Sequence, residues 1–363
     1  MSKALYLMIG GFLGAGKTTA ILSLARRLDA RGKRIGLISN DQSVGLVDTV
    51  VLSSDVFPVE EITGGCFCCR FNSLVEASER LSLTTRPDVF IAEPVGSCTD
   101  LVAAVNFPLR KIYGDAFRVA PLSVLVDPVR AERVLGLEVG NRFSSKVLYV
   151  YAKQLEEAEI IVINKCDLLT PERLDRLEAA LRTAYPQAEV LRISARSGMG
   201  MDAWLDRITG LESESVTTPD IDYEAYAEGE ALLGWLNASV KIRATDEIDG
   251  NELLRSVAAA MRGALEGVEI AHLKMTLVPE EEGGDIGVLN LVRSDGPAEL
   301  SHQLKESLSA GDLLVNIRAE GDPEVLRRSL LDALAACGCE AEIKHLEHFR
   351  PSKPEPTYRM ARI

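Results

Sequence analysis

No stretch of the 363-residue sequence approaches the ~20 consecutive apolar residues that a bilayer-spanning helix needs. The short apolar opening at 4–9 runs into glycines and not into a signal-peptide cleavage site. An excess of positive charge is also missing. Against 54 acidic side chains there are 40 basic ones, and the net charge of −14 repels nucleic-acid backbones and anionic lipid surfaces alike. Neither nucleic acid nor membrane is expected as a partner. A disulfide framework is missing too, because the seven cysteines are odd in number and three of them crowd into positions 66–69. That spacing suits metal or redox chemistry, and a reducing cytoplasm is the expected location. No long internal repeat is visible.

What is present has the composition of a folded protein: 47% hydrophobic and 26% charged residues, on a chain long enough for two cores. Up to about residue 210, short Val- and Ile-rich runs alternate with amphipathic stretches of helical length. This order predicts an α/β domain with a mostly parallel sheet and helices on both faces, the layout of a P-loop NTPase. Strands are expected at 4–9, 34–39, 88–92, 122–127, 160–164 and 189–193. Residues 211–232 turn acidic and lose periodicity, which reads as a linker. From 233 to 348 the pattern predicts a smaller α+β domain, ferredoxin-like, with strands at 236–243, 269–277 and 286–292. Helices are expected there at 251–265 and 299–308, followed by strand, helix and strand. Prolines keep 349–363 extended.

The segment Gly11-Phe12-Leu13-Gly14-Ala15-Gly16-Lys17-Thr18 matches G-x-x-x-x-G-K-[ST] between an expected strand and an expected helix, the setting that the motif requires. Backbone N–H groups of Gly11, Gly14, Ala15 and Gly16, with Lys17, Thr18 and Thr19, would cradle a triphosphate on a helix N-terminus. Lys17 would reach the β- and γ-phosphates, and the Thr18 hydroxyl would bind Mg2+. Asn164-Lys165-Cys166-Asp167 follows another expected strand. The Asp167 carboxylate can accept two hydrogen bonds from guanine, whereas adenine would leave it unpaired, so GTP is the expected nucleotide. Lys165 would lie along the base, and Ser194-Ala195 would offer a backbone N–H to the guanine oxygen. An ordinary loop in which Asp167 caps the following helix is the plainer alternative.

Glu93 closes the strand at 88–92 and is expected on the Mg2+ side, joined by Asp41. Asp41, near Asp48, is also the candidate for orienting the attacking water; turn formation is the alternative for both. With Lys17 these two acids make up the expected catalytic set. Gly64-Gly65-Cys66-Phe67-Cys68-Cys69 is a poor core and a good soft-metal claw, with Glu61, a water or a partner completing the shell. Zn2+ or another soft divalent metal fits thiolates better than Mg2+ does. Cys98 and Cys166 read as small fillers, and Cys337 and Cys339 with His345 and His348 make a weak second metal candidate.

The assembly resembles the CobW-like family of P-loop GTPases, which includes metallochaperones and metalloenzyme activators. The matching residues are 11–18, 40–48, Glu61 with Cys66-Phe67-Cys68-Cys69, Glu93-Pro94-Val95-Gly96, Gln154 and 164–167. The resemblance covers roughly 1–210. It implies a GTP-hydrolysing metallochaperone whose partner is a client metalloenzyme or corrinoid protein, and it leaves a homodimer open. Two departures stand out. Family members usually carry Glu-Phe in place of Asp41-Gln42, and many carry a histidine-rich stretch, whereas the four histidines here all lie beyond residue 270. Competing readings are a small-molecule P-loop kinase with structural zinc and a non-catalytic regulator responsive to nucleotide and metal.

Overall fold

The computed structural model describes residues 3–40, 57–216, 218–280 and 285–363. Asp41, Gln42 and Asp48 lie outside the described residues. Two compact units are present, one running to Tyr226 and including Lys353–Ile363, the other Ala227–Ser352. No helix among the described residues is long and apolar enough to cross a membrane.

The first unit is built on a parallel sheet. Its strands are β1 (Ala4–Gly11), β2 (Ile35–Asn40), β3 (Val59–Ile62), β4 (Val89–Glu93), β5 (Phe117–Val119), β6 (Ser123–Val126), β7 (Ile160–Ile163) and β8 (Glu189–Arg192). The order is β3-β2-β4-β1-β6-β7-β8, with β5 pairing β1 off this path. β1, β2, β4, β6 and β7 are buried almost throughout, as strands covered on both faces must be. Helices α1 (Lys17–Ala30), α2 (Phe71–Thr84), α3 (Phe107–Ile112), α4 (Pro128–Val134), α5 (Ser145–Glu156), α6 (Pro171–Ala184) and α7 (Met201–Gly210) complete the layers. One core cluster joins Leu7 and Ile9 of β1 to Leu24 and Leu28 of α1 and to Trp204 of α7. The six expected strands are all present within two residues. β3 and β5 were not foreseen: VEEI carries two glutamates on an edge strand, and FRV is only three residues long.

The acidic stretch expected to be a linker is fastened in its first part. Ser213, Glu214 and Ser215 all donate to the Glu159 carboxylate, and Ser213 N–H reaches Val119 O at 2.9 Å. It then forms α8 (Tyr223–Leu232).

The second unit runs β9 (Leu233–Ile248), α9 (Gly250–Ala264), β10 (Ile270–Pro279), β11 (Gly287–Leu291), β12 (Glu299–His302), β13 (Leu308–Glu320), α10 (Pro323–Ala335) and β14 (Glu340–Phe349). Its antiparallel sheet has the order β12-β11-β10-β13-β9-β14. Without the β11–β12 hairpin this is a β-α-β-β-α-β unit with the ferredoxin-like order, the α+β class that the sequence predicts. The helix expected at 299–308 is absent. Leu300, Leu304 and Leu308 recur at helical spacing, yet 299–302 pair with β11, and Leu304 and Leu308 press on Gly250 of α9. Tertiary packing overrides the local period there.

Candidate functional site

The expected nucleotide-side residues gather at the carboxyl ends of β1, β4, β7 and β8, where ligands bind in open α/β sheets. Gly16 stands just before α1 at φ 86°, and a Cβ on it would come within 2.6 Å of Asn164 Nδ2. Only glycine permits both the left-handed turn and that approach. Lys17 Nζ donates to Gly11 O at 3.0 Å, and the Thr18 hydroxyl donates to Glu93 Oε1 at 3.0 Å. The expected pair on the magnesium side is therefore in direct contact, and its hard oxygen donors suit Mg2+.

Asn164 ties the base-side loop to the phosphate loop: its Nδ2 donates to Ala15 O at 2.9 Å, and its Oδ1 accepts from Ala195 N–H at 3.1 Å. Lys165, at φ 53°, donates to Gly14 O at 2.7 Å and pairs with Asp127 at 2.9 Å. Asp167 follows in a short 3-10 turn with its side chain exposed. The cap of α6 is Thr170, which accepts from Arg173 N–H, so Asp167 is not the capping residue. The N–H groups of Ser194 and Ala195 are both engaged within the protein, by Met199 O and Asn164 Oδ1.

The cysteine segment lies between β3 and α2. Gly64, at φ 74°, opens the turn, and Asn40 Nδ2 holds it by donating to Ile62 O and Gly65 O at 3.0 and 2.7 Å. Cys69 and Arg70 N–H groups then donate to Cys66 O, which coils the segment into one turn ahead of α2. The result brings the Cys66 and Cys68 sulfurs to 2.7 Å, Cys66 and Cys69 to 3.3 Å, and Cys68 and Cys69 to 3.7 Å. All three lie within 4.8 Å of one another. In a tetrahedral zinc site with Zn–S near 2.3 Å, sulfurs stand roughly 3.8 Å apart, so small outward shifts would admit the ion. Glu61 sits on β3 opposite Ser39 and is not one of the three converging ligands.

Thiol protons of Cys68, Cys69 and Cys98 directed at Cys66 hold its sulfur well below the ordinary thiol range. The same contact with Cys66 pushes Cys68 well above that range and Cys69 up to about 11. Within the group the proton is thus held least tightly at Cys66. Cys98 belongs to the loop that follows Glu93. Gln154 braces that loop, its Nε2 donating to Gly96 O at 3.0 Å and Cys98 O at 2.8 Å.

Two features were not foreseen. One is the Cys98 contact, for which the only sequence signal was its closeness to Glu93. The other is the segment 353–363. Glu355 N–H donates to the Cys69 sulfur at 3.3 Å, and Thr357 donates from N–H to Cys68 O and from its hydroxyl to Cys69 O. The Cys337 and Cys339 thiols point at each other's carbonyls and pack against the apolar core of the second unit, and neither joins a metal-ligating group among the described residues.

The zinc chaperone CobW of a Sinorhizobium species is 33% identical over 200 residues, covering 49% of this chain and 55% of the relative. The zinc chaperone YeiR of Escherichia coli is 30% identical over 177 residues, 47% of this chain and 49% of the relative. A zinc-regulated GTPase metalloprotein activator of Dictyostelium discoideum is 25% identical over 51% of this chain and 44% of its own. The chain thus spans about half the length of these relatives. Among solved structures, the Zn(II)-bound YjiA GTPase of E. coli aligns over 92% of this chain and 99% of its own at 15% identity and TM-score 0.38. HypB of Helicobacter pylori with nickel aligns over 58% of this chain and 91% of its own at 16% identity and TM-score 0.43. The model of the CobW/HypB/UreG nucleotide-binding domain matches residues 5–192, more than half of the sequence, and the chain belongs to that family.

Proposed function

We propose that this protein is a cytoplasmic GTPase that takes up a soft divalent metal, zinc first among them, at Cys66, Cys68 and Cys69 and delivers it to a client metalloenzyme or corrinoid protein. The observation that carries the reading is the convergence of three sulfurs within 4.8 Å beside the loop that leads from Glu93, itself 3.0 Å from Thr18 of the phosphate loop. The names of the relatives, two zinc chaperones and a metalloprotein activator, support it.

The chemistry follows from the residues. Lys17 exchanges Gly11 O for the β- and γ-phosphates, while the backbone N–H groups of 11–18 and the start of α1 balance the remaining charge. Thr18 and Glu93, with Asp41, would hold Mg2+, which when bound neutralises charge developing on the phosphates. Asp41 is proposed to orient the attacking water. Asp167, exposed at the end of β7, selects guanine over adenine. Hydrolysis at the γ-phosphate changes what Thr18 and Glu93 bind, and the loop beyond Glu93 passes that change to the sulfurs.

The test is equilibrium binding and phosphate release on purified protein. Zinc should bind at about one equivalent and be lost when Cys66, Cys68 and Cys69 are all changed to Ser. GTP should bind more tightly than ATP by orders of magnitude in calorimetry. Equal affinity for the two nucleotides favours a kinase, and zinc binding that survives the triple substitution removes the chaperone reading.

A further inference from the structure

We infer that Cys66 and Cys69 close into a reversible disulfide by exchange with a low-molecular-weight disulfide, which makes the turn ahead of α2 a thiol–disulfide redox site. The pairing needs no metal and goes beyond the proposed function; its effect on metal rests on that reading.

Cys66-Phe67-Cys68-Cys69 contains a C-x-x-C spacing, and it stands between β3 and α2 on the way to the parallel strand β4. Such spacing beside a βαβ pattern is the setting of dithiol redox pairs. Backbone bonds then bring the two ends of the spacing together. Cys69 N–H donates to Cys66 O at 3.0 Å and Arg70 N–H to the same oxygen at 2.9 Å, which closes the turn and leaves the two sulfurs 3.3 Å apart. Cysteines that only fill space need no sulfur partner.

Exposure decides which sulfur reacts first, and distance decides which one follows. Cys66 is 5% and Cys68 1% exposed, whereas Cys69 is half-buried. A small disulfide therefore meets Cys69. The Cys69 thiolate attacks one sulfur of the reagent, a mixed disulfide forms, and the other half of the reagent leaves as a thiolate. Cys66 then attacks the Cys69 sulfur: the Cys66–Cys69 bond forms, the mixed disulfide breaks, and the second half leaves. Two electrons pass from the protein pair to the reagent, and the two thiol protons end on the released thiolates. Cys68 is the competitor for the second step. Its sulfur is farther from Cys69, at 3.7 Å, and adjacent Cα atoms stand about 3.8 Å apart, closer than the roughly 4.4–6.8 Å that a disulfide spans. Cys66 and Cys68 are the nearest pair at 2.7 Å, but neither is the sulfur that the reagent meets. The closed pair uses two of the three sulfurs of the proposed metal site, so oxidation releases the ion and a bound ion blocks oxidation.

The experiment uses the reduced, metal-stripped full chain, equilibrated with mixtures of reduced and oxidised glutathione, alkylated, digested with trypsin and read by mass spectrometry on the peptide that carries 66–69. As oxidised glutathione rises, the wild type should lose one pair of alkylation sites in a single two-electron step. Cys68→Ser should still close the disulfide, and Cys66→Ser should trap glutathione on Cys69. One equivalent of Zn2+ added beforehand should slow oxidation of the wild type about tenfold or more, because the ion and the reagent compete for the same sulfur electrons. Free thiols at 66–69 across all mixtures overturn the inference on the wild type alone. A Cys68→Ser chain that keeps the wild-type melting curve yet stays reduced overturns it as well. Disulfide formation that Zn2+ does not slow leaves the redox pair standing and removes the metal reading.

Discussion

At the scale of single residues, the first unit spends stability on buried polar groups beside the loop that follows Glu93. Glu157, on the turn after α5, is buried, accepts from Thr99 and from Val102 N–H at 3.1 Å, and has nearby Asp100 as a second acid. Desolvation is the largest cause that raises its pKa to about 8. Folded protein therefore keeps a proton on Glu157 that the unfolded chain gives up above the ordinary glutamate range. Stability from this group is fully present below about pH 4.5 and is lost as pH rises through 8. Glu157→Gln removes the ionisation and keeps an acceptor for Val102 N–H, with its amide N–H donating to the Thr99 hydroxyl in place of accepting from it. Melting curves from pH 5 to 9 should show the variant gaining on wild type up to pH 8 and then running level, by on the order of a few kcal/mol. Parallel curves would mean that the carboxyl is ionised throughout. None of this was readable from the sequence, because Glu157 lies in an ordinary amphipathic stretch and its partners come from a loop more than fifty residues away.

At the scale of elements, segment 353–363 acts as a strap across the cysteine turn. Thr357 N–H meets Cys68 O at 2.8 Å and its hydroxyl meets Cys69 O at 2.9 Å. Tyr358 packs edge-on against Phe71 with ring centroids 5.2 Å apart, and Arg359 pairs with buried Asp100 at 2.7 Å. An N–H directed at a sulfur stabilises its charged form, so Glu355 favours the thiolate that the proposed metal site needs at Cys69. Truncation after Ser352 should lower zinc affinity by about tenfold, measured by chelator competition, and should lower the melting temperature. An unchanged affinity would show that the strap is packing alone. The sequence predicted this segment to be extended, and it is, but an extended segment carries no periodicity from which a docking face can be deduced. The motif-bearing loops were legible for the opposite reason. Each follows a buried strand whose apolar run is unmistakable, so the position of Lys17, Glu93 or Asn164 followed from chain order. Where burial is shared between strand and helix periods, as at 299–308, the local pattern misled, and short or half-charged strands such as Val59–Ile62 left no pattern to read.

At the scale of the whole molecule, the proposed nucleotide and metal sites belong to one continuous structure in the first unit. Thr18 touches Glu93, the chain runs on through Gly96 to Cys98, and Gln154 holds the carbonyls of both of those residues. Coupling between two ligands is reciprocal: if GTP changes zinc affinity by a given factor, zinc must change GTP affinity by the same factor, typically 5–150-fold. Gln154 touches neither ligand in this scheme, yet it stiffens the span between them. Replacing it with Ala leaves two carbonyls without their donor and costs about 1–3 kcal/mol of stability. It should also shrink the coupling factor toward one, while zinc affinity without nucleotide stays near wild type. Calorimetric titration of zinc with and without a non-hydrolysable GTP analogue, and of the analogue with and without zinc, supplies both legs of the cycle. Should Gln154→Ala keep full coupling, the signal does not travel through the loop after Glu93, and the stretch between β2 and β3 becomes the route to examine by substitution at Asn40.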